Sequence, residues 1–209
     1  VASTALLYGG IKYEMDSTAF EKANQDIAAN VLDTRGLVVF ASTDSSLRFD
    51  SQSFGGERGG HWNYLQWTDV EISAIEALLS EAGLHPVVRK GYAASEESFK
   101  TMGDGSSSPR ILHIATHGFF FPDPDRKGQE AKGNLQEPVF KMSDHPMIRS
   151  GLIMAGANFA WQTGKPFRTN MEDGILTAFE ISQMNLSNTE LVVLSACETG
   201  LGVIQGNEG

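Results

Sequence analysis

The amino-acid sequence predicts an α/β domain built on a mainly parallel sheet, and three observations carry that expectation. From Thr68 onward, apolar runs of strand length alternate with capped helical segments, the rhythm of strands joined by crossover helices. The runs Ile111 to Ala115 and Leu191 to Ser195 are nearly continuous in apolar residues, as strands covered on both faces are. Each of these two runs leads into a chemically active residue, in Arg110-Ile-Leu-His-Ile-Ala-Thr-His-Gly118 and Leu191-Val-Val-Leu-Ser-Ala-Cys-Glu-Thr-Gly200. The carboxyl edge of an open parallel sheet is where such folds place ligands.

Taken in order, Leu6-Leu-Tyr-Gly-Gly-Ile-Lys-Tyr13 reads as two short β-prone runs around Gly9-Gly10, an edge hairpin, because glycine tolerates the positive φ of a tight turn. Met15 to Asn30 reads as a weak helix or a linker, and Gly36-Leu-Val-Val-Phe-Ala41 as a buried strand. Ser42 to Gly60 is a polar loop whose glycine-rich tail, from Phe54, is a surface loop or a substrate flap. Thr68-Asp-Val-Glu71 has the form of a capping box and predicts a helix start, with Val70, Ile75, Leu78, Leu79 and Ala82 as its apolar stripe and Gly83 as its stop. Pro86 to Arg89 is then a strand, Ser95 to Met102 a second capped segment, Gly103 to Pro109 a loop, and Ile111 to Ala115 a strand.

Phe121 to Ser150 breaks the rhythm. It is long, polar and rich in proline, which predicts a mobile insertion able to cover the histidine edge. The sheet resumes at Gly151-Leu-Ile-Met-Ala155. Asp173 to Ser182 reads as a turn and a helix capped by Asp173 or Thr177, followed by the strand that leads to the cysteine.

At 209 residues the chain suits a single domain with one core, with residues 1–60 supplying the hairpin, strand and loop and residues 61–209 the core. A single cysteine cannot form an intramolecular disulfide, and there is neither a leader-like start nor an apolar stretch of membrane-spanning length, so a reducing cytoplasm fits. The net charge of −10 and the lack of clustered Lys and Arg exclude nucleic acid and anionic membrane as main partners and favour basic substrates. The chain begins at Val1 and stops at Gly209 in mid-pattern, which reads as a piece of something longer.

If the two runs are neighbouring parallel strands, His117 and Cys197 meet at one rim. A histidine beside a cysteine can take the thiol proton and leave a thiolate nucleophile. Thiolate attack on a carbonyl makes an oxyanion that needs preorganised donors. A turn at His117-Gly118 would leave the Gly118 amide pointing inward, and the Cys197 amide is the natural second donor. Glu198-Thr199-Gly200, if helical, would favour the thiolate through its dipole. Taken alone, each residue also has an ordinary reading, the cysteine as a small buried hydrophobe and the histidine as a hydrogen-bonded rim residue.

His113 lies four residues before His117, but on a strand that spacing does not make a metal pair, so His113 is read as structural. His61, His85 and His145 have no ligand partners at zinc spacing; neither a metal nor a cofactor is called for. Gly200-Leu-Gly202-Val-Ile-Gln-Gly206 imitates a dinucleotide turn with its third glycine one residue late.

Four blocks now stand in order: His-Gly-Phe-Phe at 117–120, Ser-Gly-Leu-Ile-Met-Ala-Gly-Ala-Asn at 150–158, Asp-Gly-Ile-Leu-Thr-Ala-Phe-Glu-Ile at 173–181, and Leu-Val-Val-Leu-Ser-Ala-Cys-Glu-Thr-Gly-Leu-Gly at 191–202. Together they resemble the CHAT domain, whose members are bacterial relatives of caspases and separases often fused behind tetratricopeptide repeats. The resemblance implies a caspase-like α/β/α sandwich and a cysteine endopeptidase, with His117 in the general-base position, Cys197 in the nucleophile position, and no third member of the dyad. It also implies an upstream repeat domain or regulatory protein as a partner, and further strands beyond Gly209, so that the C-terminal part of the domain is missing from this chain.

A basic residue in the first subsite of a protein substrate would need a carboxylate at the pocket base. Asp173, Glu172 and Glu198 are the acids nearest the blocks, and Asp173 is the choice for that substrate-binding role. Three function classes follow: the cysteine endopeptidase working through a thioester acyl-enzyme, a catalytically silent caspase-like interaction module, and a nucleotide-binding α/β domain argued only from the late glycines.

Overall fold

The computed structural model describes residues 5–32, 60–102, 108–121 and 143–196. Its centre is a sheet of four parallel strands in the order β2-β1-β3-β7, where β1 is Ala5–Ile11, β2 Pro86–Gly91, β3 Ile111–Ala115 and β7 Leu191–Ser195. Alternation along the strands sorts side chains between two faces. Leu7 and Ala115 point to one face and pack with Ile72 of helix α2 (Gln66–Glu81). Leu6, Tyr8, Leu112 and Ile114 point to the other and join the main core. The same core takes in residues of a smaller antiparallel sheet, β4 (Gly118–Phe120), β5 (Ser150–Ile153) and β6 (Ile175–Thr177), in the order β4-β5-β6. Helices α1 (Ser17–Leu32), α3 (Glu96–Lys100), α4 (Ala157–Thr163) and α5 (Ala178–Ser182) complete the described elements. The predicted α/β class with a mainly parallel sheet is what the chain forms. No helix of the described residues is long and apolar enough to cross a membrane.

The hairpin at Gly9-Gly10 does not exist. β1 runs through both glycines as an interior strand, parallel to β2 on one side and β3 on the other. The glycines serve close packing: a Cβ on Gly9 would lie 2.7 Å from the Thr68 carbonyl oxygen and 2.8 Å from Ile72 Cγ2. Gly10 does take positive φ, at 57°, and its N–H donates to Thr68 Oγ1 at 3.0 Å. The same signal, two adjacent glycines, serves a helix pressed onto a strand as well as a turn.

Helix α2 begins two residues before the predicted capping box, and no side chain caps its start. Thr68 lies inside the first turn, donating to the Leu65 carbonyl at 2.6 Å and accepting from β1. Glu71 turns inward to β3 and β7. The buried side of the helix is Thr68 and Ile72, flanked by Ile75 and Leu79, while Val70, Leu78 and Ala82 from the predicted stripe are exposed. The predicted stop holds: Gly83 has φ 76°, and the Leu84 N–H closes onto the Leu79 carbonyl. Ser95 caps α3 as expected, accepting from the Ser98 N–H.

Two further expectations change. Gly151 to Ala155 does not rejoin the parallel sheet; its strand β5 is the middle of the antiparallel one. β7 is not buried on both faces, since Leu191 to Leu194 are 37% to 50% exposed and β7 is the outermost strand of the described sheet. Of the two caps expected for α5, Thr177 is the one used, through a complete capping box with Glu180. Of the long insertion, the described ends are ordered against each other, with the Phe121 N–H on the Arg149 carbonyl and a 3-10 turn at Pro146–Ile148. The strand at 36–41, residues 42–59 of the glycine-rich loop, residues 103–107 and the remainder of the insertion lie outside the described residues.

Candidate active site

β3 and β7 are parallel neighbours in register, Ala115 opposite Ser195. One more bond, from the Thr116 N–H to the Ser195 carbonyl at 3.2 Å, extends the pairing past the strand end. Beyond it the chain leaves the large sheet for the small one, and His117 stands at the joint, its carbonyl accepting from the Ile153 N–H at 2.9 Å. Thr116 locks this joint: its hydroxyl donates to the Ile153 carbonyl at 2.5 Å and is paired with the Tyr13 hydroxyl at 3.0 Å.

The His117 ring is held on three sides. Nε2 lies 2.8 Å from the Asn63 backbone carbonyl. A carbonyl only accepts, so Nε2 carries the proton and, in the neutral ring, Nδ1 is the basic nitrogen. The Tyr13 ring lies 5.0 Å and the Trp62 ring 4.9 Å from the imidazole, centroid to centroid. Burial among these groups pushes the imidazole pKa below its ordinary value, and the Asn63 carbonyl only partly opposes that. At neutral pH the ring is therefore a neutral base.

Gly118 is buried and opens β4 rather than forming a turn. The bonds Ile153 N–H to His117 and Phe121 N–H to Arg149 mark alternate hydrogen-bonded positions of the β4–β5 ladder. Gly118, opposite Leu152, falls between them, so its N–H points away from β5. The direction of this amide is thus set by strand alternation, not by the expected turn. Cys197 and Glu198, together with Gly200, Gly202 and Gly206 of the dinucleotide-like stretch, lie outside the described residues; Cys197 follows Ser195 by two positions in the sequence.

On the α2 side of the sheet a second polar group ties the two strand ends together. Glu71 of α2 accepts from His113 Nε2 at 2.9 Å and from the Ser195 hydroxyl at 3.1 Å. His113 is buried, and the pairing accounts for it as a structural residue.

Asp173 and Glu172 belong to a cluster of acids gathered around Lys100. The Lys100 ammonium lies 2.7 Å from Glu96, 2.8 Å from Glu172 and 2.8 Å from Glu180, which holds its pKa above the ordinary lysine range. Among the described residues Glu96, Glu172 and Glu180 are close enough together to hold a metal ion, but the lysine already stands among them as their cation. Asp173 accepts from the Ile175 N–H at 2.9 Å, and burial raises its pKa with Glu180 adding to the effect. The turn it belongs to is near the histidine through the backbone: Met154 donates to the Gly174 carbonyl, and the residue before it, Ile153, donates to His117.

Asn63, Trp62, Tyr13 and Thr116 carry no residue-type signal for this site. One acts through a backbone carbonyl, two through ring faces, and one by locking a joint. Only the block His-Gly-Phe-Phe marks the neighbourhood from sequence.

A search among curated proteins and a search among solved structures each return no match. The family model described as the CHAT domain matches residues 13–209, which takes in His117 beyond the end of β3, the register of β3 with β7 and the cysteine that follows in the sequence; the chain belongs to the CHAT domain family, a family related to cysteine peptidases.

Proposed function

We propose that this chain is the dyad-bearing part of a cysteine endopeptidase acting on protein substrates. The observation that carries the reading is His117: a half-buried imidazole with Nε2 held by the Asn63 carbonyl and Nδ1 left as the unprotonated nitrogen, just past the end of the strand whose parallel neighbour runs toward Cys197. In the reaction, Nδ1 takes the Cys197 thiol proton, and the thiolate attacks the scissile carbonyl carbon. The Gly118 and Cys197 amides receive the oxyanion. Its collapse breaks the C–N bond, with His117 protonating the departing amine and the acyl group staying on sulfur as a thioester. Water, deprotonated by His117, then attacks the thioester and releases the carboxylic product, and the proton returns to sulfur. Asp173 is the proposed contact to a basic first-subsite residue, in keeping with the acidic chain, and an upstream repeat domain or a regulatory protein is the proposed partner.

A peptidyl electrophile tests this at neutral pH. The wild-type chain gains one adduct mass on Cys197, and His117→Ala does not. Cys197→Ala abolishes proteolysis while leaving the melting temperature nearly unchanged; an equal labelling rate in His117→Ala, or a large loss of stability in Cys197→Ala, marks the cysteine as packing instead.

A further inference from the structure

We infer that Asn158 is a positioning residue for His117, acting through the backbone of Trp62; the inference rests on the dyad reading above. Asn158 is the second residue of α4 and is buried to 1% exposure. Its Oδ1 accepts from the Trp62 N–H at 2.8 Å, and its Nδ2 donates to the Trp62 carbonyl at 3.1 Å. One side-chain amide thus satisfies both polar groups of a single backbone residue, as a neighbouring strand would. Residues 60–65 belong to no sheet, so this amide takes the place of a ladder there.

The next residue, Asn63, is the one whose carbonyl holds His117 Nε2. Any tilt of Trp62 therefore tilts the acceptor that sets the histidine's tautomer. The same helix holds Trp62 a second time, since Trp161 of α4 lies 4.9 Å from the Trp62 ring, whose other neighbour is His117. α4 itself is anchored, because the Asn158 N–H donates to the Tyr13 carbonyl at 3.0 Å, and the Tyr13 ring also faces His117. Nδ2 reaches Glu14 Oε1 at 3.0 Å and lies 3.4 Å from His61 Nδ1, and these fix the orientation of the amide. Aspartate at this position keeps an acceptor for the Trp62 N–H but has no donor for its carbonyl. Alanine has neither.

A residue that only filled space would lower stability and leave the imidazole as it is. Nitrogen NMR of the histidine rings in the whole chain separates the two roles. In the wild type, His117 is expected as the Nε2–H tautomer; a dominant Nδ1–H form overturns the inference without any variant. In Asn158→Ala and Asn158→Asp, with folding verified by circular dichroism, a mixture of tautomers is expected, together with a tenfold or greater slowing of Cys197 alkylation by iodoacetamide at neutral pH, since misplacement by about 1 Å costs on the order of a hundredfold. A folded variant that keeps the Nε2–H tautomer and wild-type alkylation overturns it. If Asn158→Ala does not fold, Asn158→Asp and the wild-type tautomer still decide. His117→Ala is the control for the underlying reading: alkylation indifferent to it sinks the dyad, whereas alkylation slowed by it but untouched by Asn158 sinks only this inference.

Discussion

At the scale of single residues, environment rather than residue type sets the chemistry. His117 is half-buried beside Trp62 and Tyr13, and among the described residues its hydrogen-bond partner is a carbonyl, so its protonated form is disfavoured by the partial loss of solvent. The acid limb of the labelling rate of Cys197 is therefore expected below the ordinary histidine value of about 6.5, because the base survives to lower pH than a solvated ring would. A limb above that value in the wild-type chain contradicts the burial argument.

Glu96 shows the opposite shift. It is 1% exposed, with one oxygen on Lys100 and the other on the Gly174 N–H at 2.8 Å. Burial pushes its pKa up to about 8; Lys100 opposes this, while Asp173 and Glu180 add to it. The folded chain thus holds this proton more tightly than the unfolded chain. The stability it confers is complete below the ordinary glutamate value and is lost as pH rises through about 8. Glu180 shifts the other way, held down by Lys100 and by Thr177, and its contribution is lost only in acid. The melting temperature is expected to fall as pH rises from about 4.5 to about 8, and Glu96→Gln to flatten that slope. An unchanged slope in the variant would show that the cluster titrates elsewhere.

At the scale of elements, the informative contact is α2 on β1. Thr68 and Ile72 approach the strand so closely that Gly9 leaves no room for a methyl group. Gly9→Ala is expected to cost about 1–3 kcal/mol as the helix is forced outward, read as a lowered denaturation midpoint by chemical unfolding. A neutral result would mean the helix sits further from the sheet. The same helix carries Glu71 to the ends of β3 and β7, which lie directly before His117 and, by sequence, Cys197. One face of α2 thus packs the core and braces the rim of the site. Its exposed face leaves Trp67, Val70 and Leu78 in solvent, and this is why a stripe counted from hydropathy alone picked several wrong members.

For the whole molecule, the parallel strands β2, β3 and β7 and the helices α2, α3 and α5 were legible, because hydropathy runs, the Ser95 cap and the Gly83 stop are local signals that local physics obeys. The misreadings share a cause. Gly9-Gly10 looked like a turn because a pair of glycines does not say whether backbone bends or a neighbour comes close. β5 belongs to a different sheet from the one expected because β4 and β6 have only 3 residues each, too short to announce a second sheet. Thr177, one of the two caps the sequence offers for α5, is the one used, because a strand of 3 residues separates Asp173 from the helix.

By itself the sequence determined the α/β class, the CHAT family and the two strands, β3 and β7, after which the histidine and the cysteine follow in the chain. Those are properties of residue identity and spacing along one chain. The tertiary structure alone decided the tautomer of His117, the outward amide of Gly118 and the linkage from Asn158 through Trp62 to Asn63, because each depends on backbone groups and ring faces contributed by distant segments. A backbone carbonyl is the same atom in every residue, so only its position in space distinguishes the one that holds the base.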